Sequence, residues 1–401
     1  MKRTGISSLL VAILLAAWTP IAAAHGPAQE ILPSVDYEYG GALHFQAGIN
    51  SPLQVLRAAL FLRRGTGETS VFITNSPAES QTAFEITIEV AELQLLPFSR
   101  LVYWWQFDLA DGSNIQSIPS TLLYEDNRYA WQVHAREGVR VHWTGADLDR
   151  GQAILDLTSR SLAELQPMGL TPPESLEVYV YPSPGELQAS LRLGGIPSAA
   201  AHTLPELGVV LVSAASSNDG LQDLERQIPH EITHLLLYQR MGASYYNLPA
   251  WLNEGFATLQ ESSPAAALRL ALEEALASDA TLPLSSLCAS FPVENESRIL
   301  AYAQSASFVQ YLLDVYGSGG VVRLLDAYQE GASCEGAIQR VYQRPLSQLE
   351  AEWLQTLSGR GGQNSLLSIE RLAWIALPAL LLISASILLL VLRIRRAQAK
   401  G

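Results

Sequence analysis

Three hydrophobic patterns divide the chain. From about residue 30 to 125 apolar positions alternate with polar ones: Leu43, Phe45, Ala47 and Ile49, then Ala58, Leu60 and Leu62, then Leu101, Tyr103, Trp105, Phe107 and Leu109 ahead of an Asp111-Gly112 turn. A period of two predicts half-buried strands, and several in succession predict a small β-sandwich. From 126 to 357 the pattern is mixed. Residues 140–143, 175–181 and 207–213 predict short strands. Leu148, Ile154, Leu155, Leu162 and Leu165 recur at helical spacing before Pro167 and Gly169, and Leu221, Leu224, Ile228, Ile232, Leu235 and Leu236 do so before Gly242. After Glu261 the spacing predicts helices over 264–276, 299–316, 320–328, 334–342 and 345–357.

The third pattern is continuous apolarity. Residues 372–392 carry no charge over 21 positions, enough at helical rise to cross about 30 Å of hydrocarbon, and predict a transmembrane helix. Pro378 is tolerable near its outer end. A glycine-containing linker (358–371) precedes it, and Arg393, Arg395, Arg396 and Lys400 make the tail (393–401) cytoplasmic by the positive-inside rule. At the other end Lys2 and Arg3, the apolar run 6–18 and Ala22-Ala23-Ala24 predict a signal peptide over 1–24, with an uncleaved anchor as the alternative. The expected localisation is therefore the cell membrane, single-pass, with the N-terminal ectodomain outside.

Charge sharpens this division. Of 25 Lys and Arg, two lie in the leader and five flank or follow the span, leaving 18 against all 39 acidic residues. So acidic an ectodomain excludes nucleic acid as a partner. Cys288 and Cys334, 46 positions apart, are the only cysteines; in an exported protein they form either a disulfide or two buried thiols.

Candidate chemistry concentrates in His230-Glu231-Ile232-Thr233-His234 and Trp251-Leu252-Asn253-Glu254-Gly255-Phe256-Ala257. On a helix, His230 and His234 lie one turn apart on one face, so two imidazoles can grip one cation. Zinc suits such a pair, and Glu254 is the natural third ligand. A structural helix pair is the bland alternative. Pro229 directly before His230 means that the helix either starts near 228 or kinks there.

The stretch from His230 to Leu259 resembles the gluzincin zinc metallopeptidases, of which thermolysin and the aminopeptidase N family are familiar members, and the compact size resembles peptidase MA-like proteins. The resemblance implies an α+β catalytic domain (126–357), with a small mixed sheet and a helical lobe. This would follow an all-β immunoglobulin- or fibronectin III-like sandwich (30–125), which the run 96–112 weakly resembles. It also implies Zn2+ held by His230, His234 and Glu254, Glu231 as general base, and a peptide or protein substrate. Tyr302, in Ala301-Tyr302-Ala303, is the candidate oxyanion donor, with Tyr245, Tyr246 and His202 behind it and a core role as its alternative. The strand at 208–213 would offer an open edge to the peptide, or else be an ordinary buried strand.

Two departures narrow the expectation. Thr258 stands one turn after Glu254, where thermolysin-like enzymes place an aspartate that orients a zinc histidine, so another acceptor is required. No Gly-Ala-Met-Glu-Asn-like segment precedes the metal helix, which favours an endopeptidase or a protease cutting one dedicated partner. The rival readings are a non-catalytic surface binding protein on a zinc-peptidase scaffold, and zinc-dependent hydrolysis of something other than a peptide.

Overall fold

The computed structural model describes residues 31–358, apart from 66, 68, 76–81, 197–200, 216 and 263–264. They form two units, one of residues up to 95 with 100–124, the other of 96–99 with those from 125 onward.

The first unit contains β1 (Ile31–Tyr37), β2 (Ala42–Ile49), β3 (Val55–Arg64), β4 (Thr69–Asn75), β5 (Ala83–Glu89), the single turn α1 (Val90–Leu93), β6 (Arg100–Leu109), β7 (Asn114–Gln116) and β8 (Ser120–Leu123). One antiparallel sheet has the order β1-β2-β5; the other runs β4-β3-β6-β7, with β8 also paired to β6. Alternation has its physical consequence here. Leu101, Tyr103, Trp105, Phe107 and Leu109 of β6 are buried and share one core with Leu43, Phe45 and Ala47 of β2 and Leu60 of β3, so the inner faces of the two sheets pack together.

The second unit continues with β9 (Gln132–Arg136), β10 (Val139–Trp143), α2 (Leu148–Leu165), β11 (Leu176–Tyr181), α3 (Pro184–Leu193), β12 (His202–Leu204), β13 (Val209–Ser213), α4 (Asn218–Met241), α5 (Ala250–Leu259), α6 (Ala266–Ala277), α7 (Asn295–Gln329, broken at Gly317) and α8 (Cys334–Tyr342). Residues 346–358 are also helical. The sheet order is β12-β13-β11-β10-β9. Its three inner strands are mutually parallel, and both edge strands are antiparallel to their neighbours.

This corrects the expected fold class. Parallel neighbours require crossover connections, and α2 and α3 supply them, so strands and helices alternate in a mixed α/β unit rather than segregating as α+β. The expected transmembrane helix is not part of the described fold: no helix among the described residues is long and apolar enough to cross a membrane. Residues 372–392, the linker from 359 and the tail lie outside the described residues, as does the leader 1–24.

One sheet face packs Val141, Val178 and Val210 against α2 and α4 in the core that continues into the helical lobe. The other packs Tyr179, Tyr181 and Leu211 against Leu187 and Leu191 of α3. A second correction concerns the open edge. The stretch 208–213 lies inside the sheet, and the edge is β12, because the turn Pro205–Leu207 and Gly208 (φ 68°) fold His202 back onto Leu211. Cys288 and Cys334 are disulfide-bonded, resolving that choice.

Candidate metal centre

Helix α4 starts at Ser217, whose hydroxyl accepts from the Gly220 N–H, and continues without interruption through Pro229. Proline cannot donate to the carbonyl four residues back, so the Glu225 carbonyl is left for another donor. It receives the N–H of Ser262, at 3.1 Å. That bond pins the chain leaving α5 beside the turn of α4 that carries His230, and Glu261, next to Ser262, places Oε1 3.0 Å from His230 Nδ1. The acceptor missing at Thr258 is thus supplied seven residues beyond Glu254.

Helix α5 is set by a close approach. A Cβ at Gly255 would lie 2.5 Å from the backbone carbon of Ser305 on α7, so only glycine allows the two helices this near. The contact places Tyr302, one turn before Ser305, beside the centre, its ring 6.5 Å from that of His230 and its side chain lining the same cavity as Glu254. The N–H of Ala250, in the first turn of α5, donates to the carbonyl of disulfide-bonded Cys288.

Five residues singled out by sequence thereby meet. Glu254 Oε2 lies 3.6 Å from His230 Nε2 and 3.7 Å from His234 Nε2, and one donor atom from each of the three residues falls within 4.8 Å of the others. The outer ring nitrogens decide what the inner ones can do. His230 Nδ1 faces the Glu261 carboxylate, and His234 Nδ1 faces Asn253 Oδ1 at 3.1 Å. Both acceptors require a protonated Nδ1, which leaves each Nε2 lone pair turned toward Glu254 in the neutral imidazole. Asn253 Nδ2 in turn donates to Tyr245 Oη, at 3.4 Å.

Glu231 is buried beside this group, and its Oε2 accepts a 2.6 Å hydrogen bond from Thr203 Oγ1 of the edge strand. A cavity of about 450 Å³ opens over the centre, lined by His230, Glu231, His234 and Glu254, by His202 to Glu206, and by Tyr245, Tyr246 and Tyr302. Burial raises the Tyr302 hydroxyl pKa, and the Glu254 charge adds to the effect; burial likewise raises that of Tyr245. Both phenols remain proton donors at neutral pH.

Charge favours a cation here. Burial alone would raise the Glu254 carboxyl, but the two imidazoles and the Tyr302 hydroxyl hold it below its ordinary value. Burial pulls the His230 imidazole down, and the carboxylates of Glu254, Glu261 and Glu231 outweigh it and push the ring up. Glu261 Oε2 is buried with no hydrogen-bond partner. A divalent ion is the natural counter-charge to three convergent carboxylates with no lysine or arginine among the cavity's lining residues.

Sequence reasoning did not find Glu261, Asn253 as the partner of His234, or Thr203. Asn253 could have been found, since it adjoins Glu254 on the same helix. Thr203 and Glu261 are 28 and 31 residues from their partners, with no local spacing to betray them.

A family model described as the peptidase MA superfamily matches residues 158–359, which include every residue of this centre but none of the first unit. Comparison with curated proteins gives no match. Among solved structures the chain is similar to wild-type OgpA from Akkermansia muciniphila, at 18% identity over 24% of this chain and 29% of that one, with a TM-score of 0.21. A polysaccharide deacetylase from Bacillus cereus is 12% identical over 41% of this chain and 54% of that one, at 0.20. A purple acid phosphatase from yellow lupin (Lupinus luteus) seeds is 10% identical over 47% and 35%, at 0.20. The chain spans less than two thirds of each, and likenesses this slight carry no argument about fold or activity.

Proposed function

Since the chain belongs to the peptidase MA superfamily, we propose that its centre is that of a zinc-dependent metallopeptidase cutting within peptide chains. The observation that carries this reading is the pairing of each histidine's Nδ1 with a fixed acceptor while both Nε2 atoms converge on Glu254. With zinc–ligand distances of about 2.0–2.2 Å, tetrahedral neighbours stand about 3.3–3.6 Å apart. The observed 3.6 and 3.7 Å lie at, and 0.1 Å beyond, the upper end of that spacing.

Zinc held by His230, His234 and Glu254 would supply a Lewis acid and bring the pKa of water down toward neutrality. Glu231 is not one of the three ligands. Thr203 fixes its Oε2, which leaves Oε1 to accept a proton from water and return it to the departing amine. Tyr302 and Tyr245 present hydroxyls to the cavity as donors for charge developing on a carbonyl oxygen. Strand β12 has no neighbour on its outer side among the described strands, so an extended peptide can add there as a further strand. Such binding uses a length of backbone rather than a chain end, which supports endopeptidase action. The Cys288–Cys334 bond supports work outside a reducing cytosol.

The test is zinc content and casein cleavage by the full chain and by its Glu231→Gln variant. One zinc in each with cleavage only by the wild type is the expected result. Zinc without cleavage in either would favour a binding protein on a peptidase scaffold, and absence of zinc from both would end the reading.

A further inference from the structure

One carboxylate of the cleft has no task in the mechanism above. The lining residues include three, Glu206, Glu231 and Glu254, and no lysine or arginine. Glu231 and Glu254 are committed to proton transfer and to the metal. Glu206 lies in the turn that follows the edge strand, three positions beyond Thr203, and is exposed. It forms no ion pair with a described lysine or arginine; its partner is the Tyr246 hydroxyl, which donates to Oε1.

That phenol is itself unusual. Tyr246 is 66% exposed, yet its ring is held by edge contacts with Tyr245 at 5.4 Å and Tyr238 at 6.1 Å, and Tyr238 and Tyr245 meet at 5.7 Å. An exposed aromatic whose hydroxyl is spent on a carboxylate is fixed in direction, and so is the carboxylate. A fixed anion beside aromatic rings is the combination that recognises an ammonium or guanidinium group, by charge-assisted hydrogen bonding together with the attraction of a cation to a π face. Burial holds the neighbouring His202 imidazole below its ordinary pKa despite Glu231 and Glu206.

We propose that Glu206, framed by Tyr245 and Tyr246, is the specificity-determining group of the cleft and takes the cationic side chain of a lysine or arginine of the substrate. The proposal rests on the peptidase reading for its substrate class. A peptide laid along β12 passes from Thr203, which touches the base, toward the turn that carries Glu206. One positive group on that peptide would meet the unused carboxylate while a peptide bond lies at the metal centre.

The experiment uses blocked decapeptides, N-acetylated and C-amidated, in which one position is scanned with arginine or with its neutral isostere citrulline. A third set carries citrulline and a free N-terminus. Wild-type full chain is expected to show a kcat/KM about tenfold higher on arginine peptides than on blocked citrulline peptides, and the same advantage for the free N-terminus instead would overturn a side-chain subsite. In Glu206→Gln that ratio should fall toward one. Equal rates on charged and neutral peptides by the wild type, or a preference that survives in Glu206→Gln, would overturn the assignment. Should no peptide be cut, the peptidase reading fails separately, and the same peptides decide the inference by binding. Titrated onto Glu231→Gln and onto the Glu231→Gln, Glu206→Gln double variant at low salt, the charged peptide must bind about tenfold more tightly than the neutral one, and only when Glu206 is present.

Discussion

Two histidine–carboxylate clusters in the second unit are built from nearly the same side chains and reach opposite electrical states. On the sheet, His142 Nε2 lies 2.7 Å from Glu177 Oε2, Tyr179 stacks on the imidazole at 4.0 Å, and Arg140 Nε is 2.9 Å from both carboxylate oxygens. Burial would raise the Glu177 carboxyl, but His142 and Arg140 hold it down at about 2. Charge is balanced there, with Arg140 and Glu177 forming an ion pair. At the metal centre, His230 and His234 face Glu254, Glu231 and Glu261, and no arginine or lysine lines the cavity. Proximity of histidine and glutamate is common to both. What separates a closed salt bridge from a cation site is whether the chain supplies its own counter-charge, and here Arg140 makes the difference.

The comparison is broken most severely at Glu231. Glu231→Gln should lower peptide hydrolysis about 10³-fold, the scale of a lost general base, while the zinc content stays at wild-type level. Zinc lost along with activity would show that Glu231 belongs to the ligand set instead. Next comes Glu261→Ala, which should weaken zinc binding about 10- to 100-fold by freeing the His230 ring, as competition with a chelator would measure. The matched change in the other cluster, Glu177→Gln, should leave zinc affinity alone and cost stability: about 2 kcal/mol at pH 7, discounted because Arg140 is partly exposed. The sign follows from a depressed carboxyl. Its contribution is full above the unfolded value near 4.5 and is lost as pH falls toward about 2, so the gap between wild type and variant in urea unfolding should close over that window.

How much of this was legible depended on how local each signal is. His230, His234 and Glu231 are fixed by one helical turn, and Glu254 by the segment around it. The alternation of Leu101 to Leu109 marked β6 because ten residues of period two outlast any accident. The edge strand was misplaced because β12 has three residues, too few for any period, and its identity depends on a hairpin made by Pro205 to Gly208. The α/β character was missed for a related reason: strand order and direction are properties of pairing between distant segments, which hydrophobic spacing along the chain does not encode. Thr258 showed that another acceptor was required, but Glu261, 31 positions from His230, has no local spacing to mark it as that acceptor. The cause of its position is nevertheless local, since Pro229 cannot donate within the helix and leaves the Glu225 carbonyl to the Ser262 N–H.

That proline supplies the finest test of the comparison. The sheet cluster is placed by strand register alone, with Arg140 opposite Glu177 and His142 opposite Tyr179 on neighbouring strands. The metal centre additionally depends on a loop, 261–262, held by the carbonyl that Pro229 leaves open. In Pro229→Ala the helix can reclaim Glu225 O through an ordinary backbone bond, which favours α4 by up to about 3 kcal/mol on propensity, less what is lost at Ser262. The N–H of Ser262 then has no acceptor, and Glu261 loses the anchor beside it. The expected outcome is a protein as stable as wild type or more so, with zinc bound roughly fivefold more weakly, a fraction of the Glu261→Ala effect. Thermal unfolding and chelator competition on the same sample separate the two quantities. Higher stability with unchanged zinc affinity would mean that Glu261 is held by its own contact with His230, and that Pro229 is merely accommodated.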